Sequence, residues 1–135
     1  MDDVKINKIA IIERCIKRIR EEYANDPKNL YDDITKQDSI ILNLERACEA
    51  AIDLAMHEVR KNRLGIPQES REAFSMLYEA GLIEKKAAEK MTAMVGFRNI
   101  AVHNYQALNL SIVASVIEKG LDDFLDFTKA VLMDS

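Results

Sequence analysis

The sequence predicts an all-α fold, an up-and-down bundle of four main helices with one additional short helix, and three observations lead there. Ile6, Ile9, Ile12, Ile16 and Ile19 recur at steps of three and four, the period of a single helical face. Aromatic residues make up only 6% of the chain and Trp is absent, which favours helices over a sandwich or barrel. Four Gly and two Pro punctuate 135 residues, which suits long helices joined by short turns and not the many turns of a sandwich or barrel. At 48% hydrophobic and 31% charged, residues 1–135 read as one compact helical domain.

The isoleucine stripe predicts a first helix from about Val4 to Tyr23. Pro27 breaks the pattern, and Asp33 or Thr35 can cap a second helix running from about Ile34 to Arg63 and ended by Gly65. Its apolar stripe is Ile40, Leu44, Cys48, Ala51, Ile52, Ala55 and Met56. The stretch QESREAFSMLYEAG reads as a short helix that buries Phe74, Leu77 and Tyr78 and stops at Gly81. A further helix spans about Glu84 to His103, with Ala87, Met91, Met94, Val95 and Phe97 inward. Asn109 can cap the last, about Leu110 to Met133, which directs Ile112, Val113, Val116, Ile117, Leu121, Phe124, Leu125 and Val131 to the core.

Charge and cysteine usage narrow the function classes. A formal net charge of −4 argues against wrapping nucleic acid over the whole surface, so any such contact is local. Cys15 and Cys48 lack CxxC spacing and are expected to be reduced core or interface residues. No clustered zinc ligands, Gly-rich phosphate loop or Ser-His-Asp order is present, so no metal and no cofactor is expected. The N-terminus MDDVKINK has no signal-like apolar run and no stretch is long enough to span a membrane, which together predict a cytoplasmic protein.

The chemistry concentrates in RNIAVHNY, residues 98–105. Arginine grips phosphate oxygens with a planar two-pronged fork, and histidine exchanges protons near neutral pH. RNA cleavage needs a base for the 2′-hydroxyl, an acid for the departing 5′-oxygen and positive charge on the phosphorane, and none of these requires a metal. Arg98 and His103 are therefore the candidate catalytic residues and Asn99 a supporting hydrogen-bonding one. On a helix Arg98 and His103 stand about 140° apart, so two copies facing each other across a dimer bring them together more easily than one chain does. If the helix persists, Tyr105 lies within about 20° of Arg98. Arg and His near a helix C-terminus also have a purely structural use, since both favour the macrodipole there. Asp53, four residues before His57, is a second supporting candidate that could orient that imidazole, or a surface or interface pair. The runs RKNR at 60–63 and KK at 85–86 could steer RNA, or simply be solvated helix ends.

Arg98-x4-His103-x-Tyr105 matches the signature of the HepT toxins, a branch of the HEPN superfamily of helical ribonucleases. ACEAAIDLAMHEV, LGIPQESREAF, LYEAGLI and MVGFRNIAVHNY resemble that family's successive blocks, so the likeness covers most of the chain. The resemblance implies an HEPN-like bundle that acts as the metal-independent endoribonuclease toxin of a type VII toxin–antitoxin system. It implies a substrate RNA, tRNA among the options, and an active cleft between the two protomers of a homodimer, within larger hetero-oligomers if the antitoxin joins. It also implies neutralisation by an MNT-type nucleotidyltransferase antitoxin that transfers AMP from ATP to Tyr105. Phosphate and adenine on Tyr105 are then expected to occupy Arg98 and repel RNA. Two readings of other classes share these features: a non-catalytic helical subunit presenting substrate or nucleotide to a nucleotidyltransferase, and a structural dimerisation module.

Overall fold

The computed structural model describes residues 2–133, and every regular element among them is helical. Helix α1 spans Asp3–Tyr23, α3 Ile34–Lys61, α4 Ser70–Glu79 and α5 Lys85–His103. Between α1 and α3 lies a one-turn helix α2, Lys28–Tyr31, which is too short for any periodicity to announce. After α5 come a 3-10 turn at Tyr105–Ala107 and a helix in three parts: α6 Leu110–Ser115, a π-helical segment Val116–Gly120, and α7 Leu121–Met133. The four long elements close on one another: α1 lies along α3, α3 against α5, α5 against α7, and α7 back on α1 and α3. Short α4 fills the space beside α3 and α5. This is the predicted bundle.

Local chemistry sets the boundaries. Asp2 caps α1 and Asp33 caps α3, each accepting from a backbone N–H three residues on, at 3.1 Å. The C-terminus of α4 closes with paired backbone bonds, Gly81 N–H to Tyr78 and Leu82 N–H to Leu77, and Gly81 takes φ +78 as such a stop requires. Asn109 accepts from Ser111 N–H at 2.9 Å to start α6.

The core is largely aliphatic, with Ile12, Ile16, Ile19, Leu30, Ile40, Leu44 and Leu54 essentially inaccessible. Phe74 and Phe127 meet edge to face at its centre, their centroids 5.3 Å apart. Three of the expected inward residues differ. Ile6 is exposed, because the buried face of α1 begins one position earlier, at Lys5. Lys5 Nζ reaches Glu58 Oε1 of α3 at 2.8 Å, and donates to the Val131 carbonyl of α7 at 3.1 Å. A charge there is tolerated only because it is paired on both counts. Tyr78 is exposed at the rim of α4. Ile112 is also exposed; α6 touches the core through Val113, and the π-helical segment then changes the phase of the helix so that α7 buries Leu121, Phe124, Phe127 and Val131. Gly120 ends that segment where α5 comes close, as a Cβ there would lie 3.1 Å from the Met94 methyl.

Candidate active site

α5 ends where Asn104 leaves helical geometry, at φ −151 and ψ 63, with its N–H still bonded to the Ile100 carbonyl. Arg98 and Asn99 therefore sit one and a half turns inside the helix, His103 is its final residue, and Tyr105 starts the 3-10 turn beyond it. The helix stops at His103, where the pattern ended it, so the condition under which Tyr105 would share a face with Arg98 is not met.

Arg98 turns toward α3. Its Nε donates to Glu49 Oε1, its Nη2 makes an ion pair with the same oxygen, and its Nη1 donates to Asn99 Oδ1 at 2.9 Å. Asn99 thus has a supporting contact, on the arginine itself. Glu49 holds one edge of the guanidinium and leaves a partly exposed cation whose planar orientation is fixed. The imidazole of His103 is exposed and bonds to none of the described residues, which leaves both ring nitrogens open to a substrate or a second chain. No hydrogen bond among the described residues joins Arg98 to His103; the guanidinium bonds Glu49 and Asn99 instead.

Tyr105 also docks on α3, further toward its N-terminus, where its hydroxyl donates to Asp38 Oδ1 at 2.8 Å. Partial burial, and then the Asp38 carboxylate, push the phenol up to about 12. Asp38 and Glu49 are eleven residues apart, three turns of helix, so they share one face of α3 within about 20° and are separated by about 16 Å along it. The exposed Leu42 lies on the same ridge between them, and Val102, one turn past Arg98, is exposed as well. Neither Asp38 nor Glu49 was legible as functional in the sequence. The signal available was their three-turn spacing, but nothing in it said that α5 would lie alongside.

The other candidates fall elsewhere. Asp53 does not orient His57: it is paired with Lys8 of α1 at 3.0 Å, while His57 Nε2 lies 2.9 Å from both carboxylate oxygens of Asp2. The N-terminus of α1 packs over that end of α3 and takes the imidazole first. Asp53 instead lines, with Lys8, Arg14, Asn43, Arg46 and Glu49, a groove of about 330 Å3 between α1 and α3, so positive charge borders the Arg98 partner. Of the basic runs, Lys61 is used by Asp2 at 3.2 Å, and Lys85 and Lys86 stand in the first turn of α5, about 18 Å or more from Arg98 along the helix. No group of three or more His, Cys, Asp or Glu that could hold a metal ion is found among the described residues. No helix among them is long and apolar enough to cross a membrane.

Comparison with known proteins gives this geometry a family. The chain is similar over 97% of its length to a protein of Shewanella oneidensis described as an mRNA nuclease HepT, with 50% identity over 131 residues and 98% of that protein covered. Among solved structures it superimposes on a tri-AMPylated Shewanella oneidensis HEPN toxin in complex with an MNT antitoxin, at TM-score 0.92, 50% identity and full coverage of both chains. A second is a toxin–antitoxin structure with AMP-PNP, at TM-score 0.90 and 49% identity, covering 97% of this chain and 99% of that one. The model of the Ribonuclease HepT-like family matches residues 12–131, which include both α3 anchors and all three signature residues, and the chain belongs to that family.

Proposed function

We propose that this chain is the endoribonuclease toxin of a toxin–antitoxin pair, silenced by nucleotidylation of Tyr105. The observation that carries the nuclease reading is the state of the two signature residues in a HepT-like chain: Arg98 is oriented by Glu49 and Asn99, and His103 is exposed with no partner among the described residues. Arg98 binds the scissile phosphate and stabilises the charge that builds up as the 2′-oxygen attacks. His103 exchanges the protons, accepting from the 2′-hydroxyl or donating to the departing 5′-oxygen. These steps need no cofactor.

A single protomer bonds Arg98 to α3 and leaves His103 exposed and unbonded, so in this reading the complete site forms between two copies, each supplying a histidine. Exposed Leu42, Val102 and Ile100 border this surface and supply apolar area for the pairing. The described relatives support an RNA substrate, mRNA among the candidates, and an MNT-type antitoxin as partner. The buried thiols of Cys15 and Cys48 fit the cytoplasmic setting expected from the sequence.

The test is to purify His103→Ala and Arg98→Ala separately and mixed. Each alone loses RNA cleavage by about a hundredfold or more. The mixture recovers only part of the lost activity, because its heterodimers hold one wild-type Arg98 and one wild-type His103, where the wild-type dimer holds two of each. A folded His103→Ala protein that cleaves at the wild-type rate overturns the proton-transfer role, and a strictly monomeric wild type that cleaves at full rate overturns the shared site.

A further inference from the structure

Tyr105 is reached by solvent, yet its hydroxyl is not left to water: it donates to Asp38 Oδ1 at 2.8 Å. Asp38 is exposed in the second turn of α3, and its side chain has no ion pair or other hydrogen bond among the described residues. The carboxylate is thus committed to the phenol alone. A phenol pushed up to about 12 is not ionised at neutral pH, so any attack by its oxygen must shed the proton during the step. In this chain the group at hydrogen-bond distance from that proton is Asp38.

We propose that Asp38 is the catalytic base for nucleotidylation of Tyr105, so that the toxin carries the base for its own silencing. The inference rests on the reading of Tyr105 as the modified residue. A lone pair of Tyr105 Oη attacks the α-phosphorus of ATP, and the new Oη–P bond forms as the bond from that phosphorus to the bridging oxygen of the β-phosphate breaks. Pyrophosphate leaves with the bonding electrons. The hydroxyl proton passes to Asp38 Oδ1 and from there to solvent, which restores the carboxylate. The hydrogen bond also fixes the direction of the O–H, so the lone pairs of Oη point away from α3 toward an incoming nucleotide.

Asp38→Asn separates the two roles, because an amide oxygen still accepts the hydrogen bond but is too weak a base to take the proton. With the cognate nucleotidyltransferase, ATP and intact-mass detection, kcat for AMP addition should fall about a hundredfold while KM for ATP stays put. Asp38→Glu, which keeps a carboxylate, should retain much of the rate. The decisive variant replaces Tyr105 by a difluorotyrosine, whose more acidic phenol needs little help: it should restore the rate in the Asp38→Asn background and change it little in the wild type. Matching thermal melts show that the variants fold. Asp38→Asn modified as fast as wild type overturns the inference and leaves Tyr105 as the acceptor intact. A slow Asp38→Asn that difluorotyrosine fails to rescue also overturns it, since Asp38 would then only dock the ring. Wild type that gains AMP on a residue other than Tyr105 overturns the acceptor reading, and the inference with it.

Discussion

Glu49→Gln tests how the structure sets Arg98. The amide oxygen can still accept from Arg98 Nε, so orientation is largely preserved, and only the negative charge is removed. Both side chains are partly exposed, 25% for Arg98 and 39% for Glu49, so their pairing is solvent-screened and contributes at most about 1 kcal/mol to stability. The variant should therefore melt within a few degrees of the wild type. The effect on RNA runs the other way. A phosphate docked on the open edge of the guanidinium would stand roughly 5 Å from the Glu49 carboxylate, and at water-like screening two charges at that distance repel by about 1 kcal/mol. Removing that repulsion should tighten binding about fivefold at low ionic strength. Fluorescence anisotropy with an RNA whose 2′-hydroxyls are blocked gives binding without cleavage, and the gain should shrink as salt is raised. Glu49→Ala, which loses the acceptor too, should instead lower kcat. If Glu49→Gln binds RNA no more tightly than wild type at low salt, then the phosphate does not dock on the Arg98 edge that Glu49 leaves open.

Two predictions concern the scaffold. Lys5→Met leaves Glu58 charged and buried without its partner, and should cost about 3–5 kcal/mol in urea denaturation, whereas Lys5→Met/Glu58→Met should recover most of that loss; a single variant as stable as wild type would show the pair to be dispensable. Hydrogen bonds from His57 and from the Lys5 backbone N–H, with Lys61 close by, hold the Asp2 carboxyl well below the usual carboxylate range. Because its folded value lies below the unfolded one, this contribution is present above the ordinary Asp value of about 4 and is lost as pH falls below it. Asp2→Asn should be less stable than wild type at neutral pH, and the gap should close toward pH 2; a gap that stays constant would place the interaction outside carboxylate titration.

The helices were readable because burial imposes a period. The α1 stripe from Ile9 onward, the α3 stripe and the caps at Asp33 and Asn109 lie where the pattern put them. What escaped was whatever depends on a partner distant in sequence or on a local change of period. Lys5 displaces Ile6 from the buried face only because Glu58, more than fifty residues away, neutralises it. The π-helical segment slips the phase of the last helix with no Gly or Pro ahead of it to warn of the change. At the site, Arg98, Asn99, His103 and Tyr105 stood out by residue type, but with the helix ending at His103 nothing in the spacing said that Tyr105 would dock on Asp38. Glu49 and Asp38 look like ordinary solvated positions until α5 and its following turn are laid against them.

The three turns of α3 between Asp38 and Glu49 act as a ruler. No Gly or Pro interrupts residues 38–49, so the span of about 16 Å is as stiff as an α-helix. That length exceeds the distance of about 8 Å over which exposed charges influence one another at physiological salt. Within one protomer, then, a lone phosphate fixed where Tyr105 docks is electrically remote from the guanidinium at the other mark. A tether that silences by occupancy must be long enough to bridge the gap or must reach the opposing copy, so the number of nucleotide units added becomes a matter of reach as well as charge.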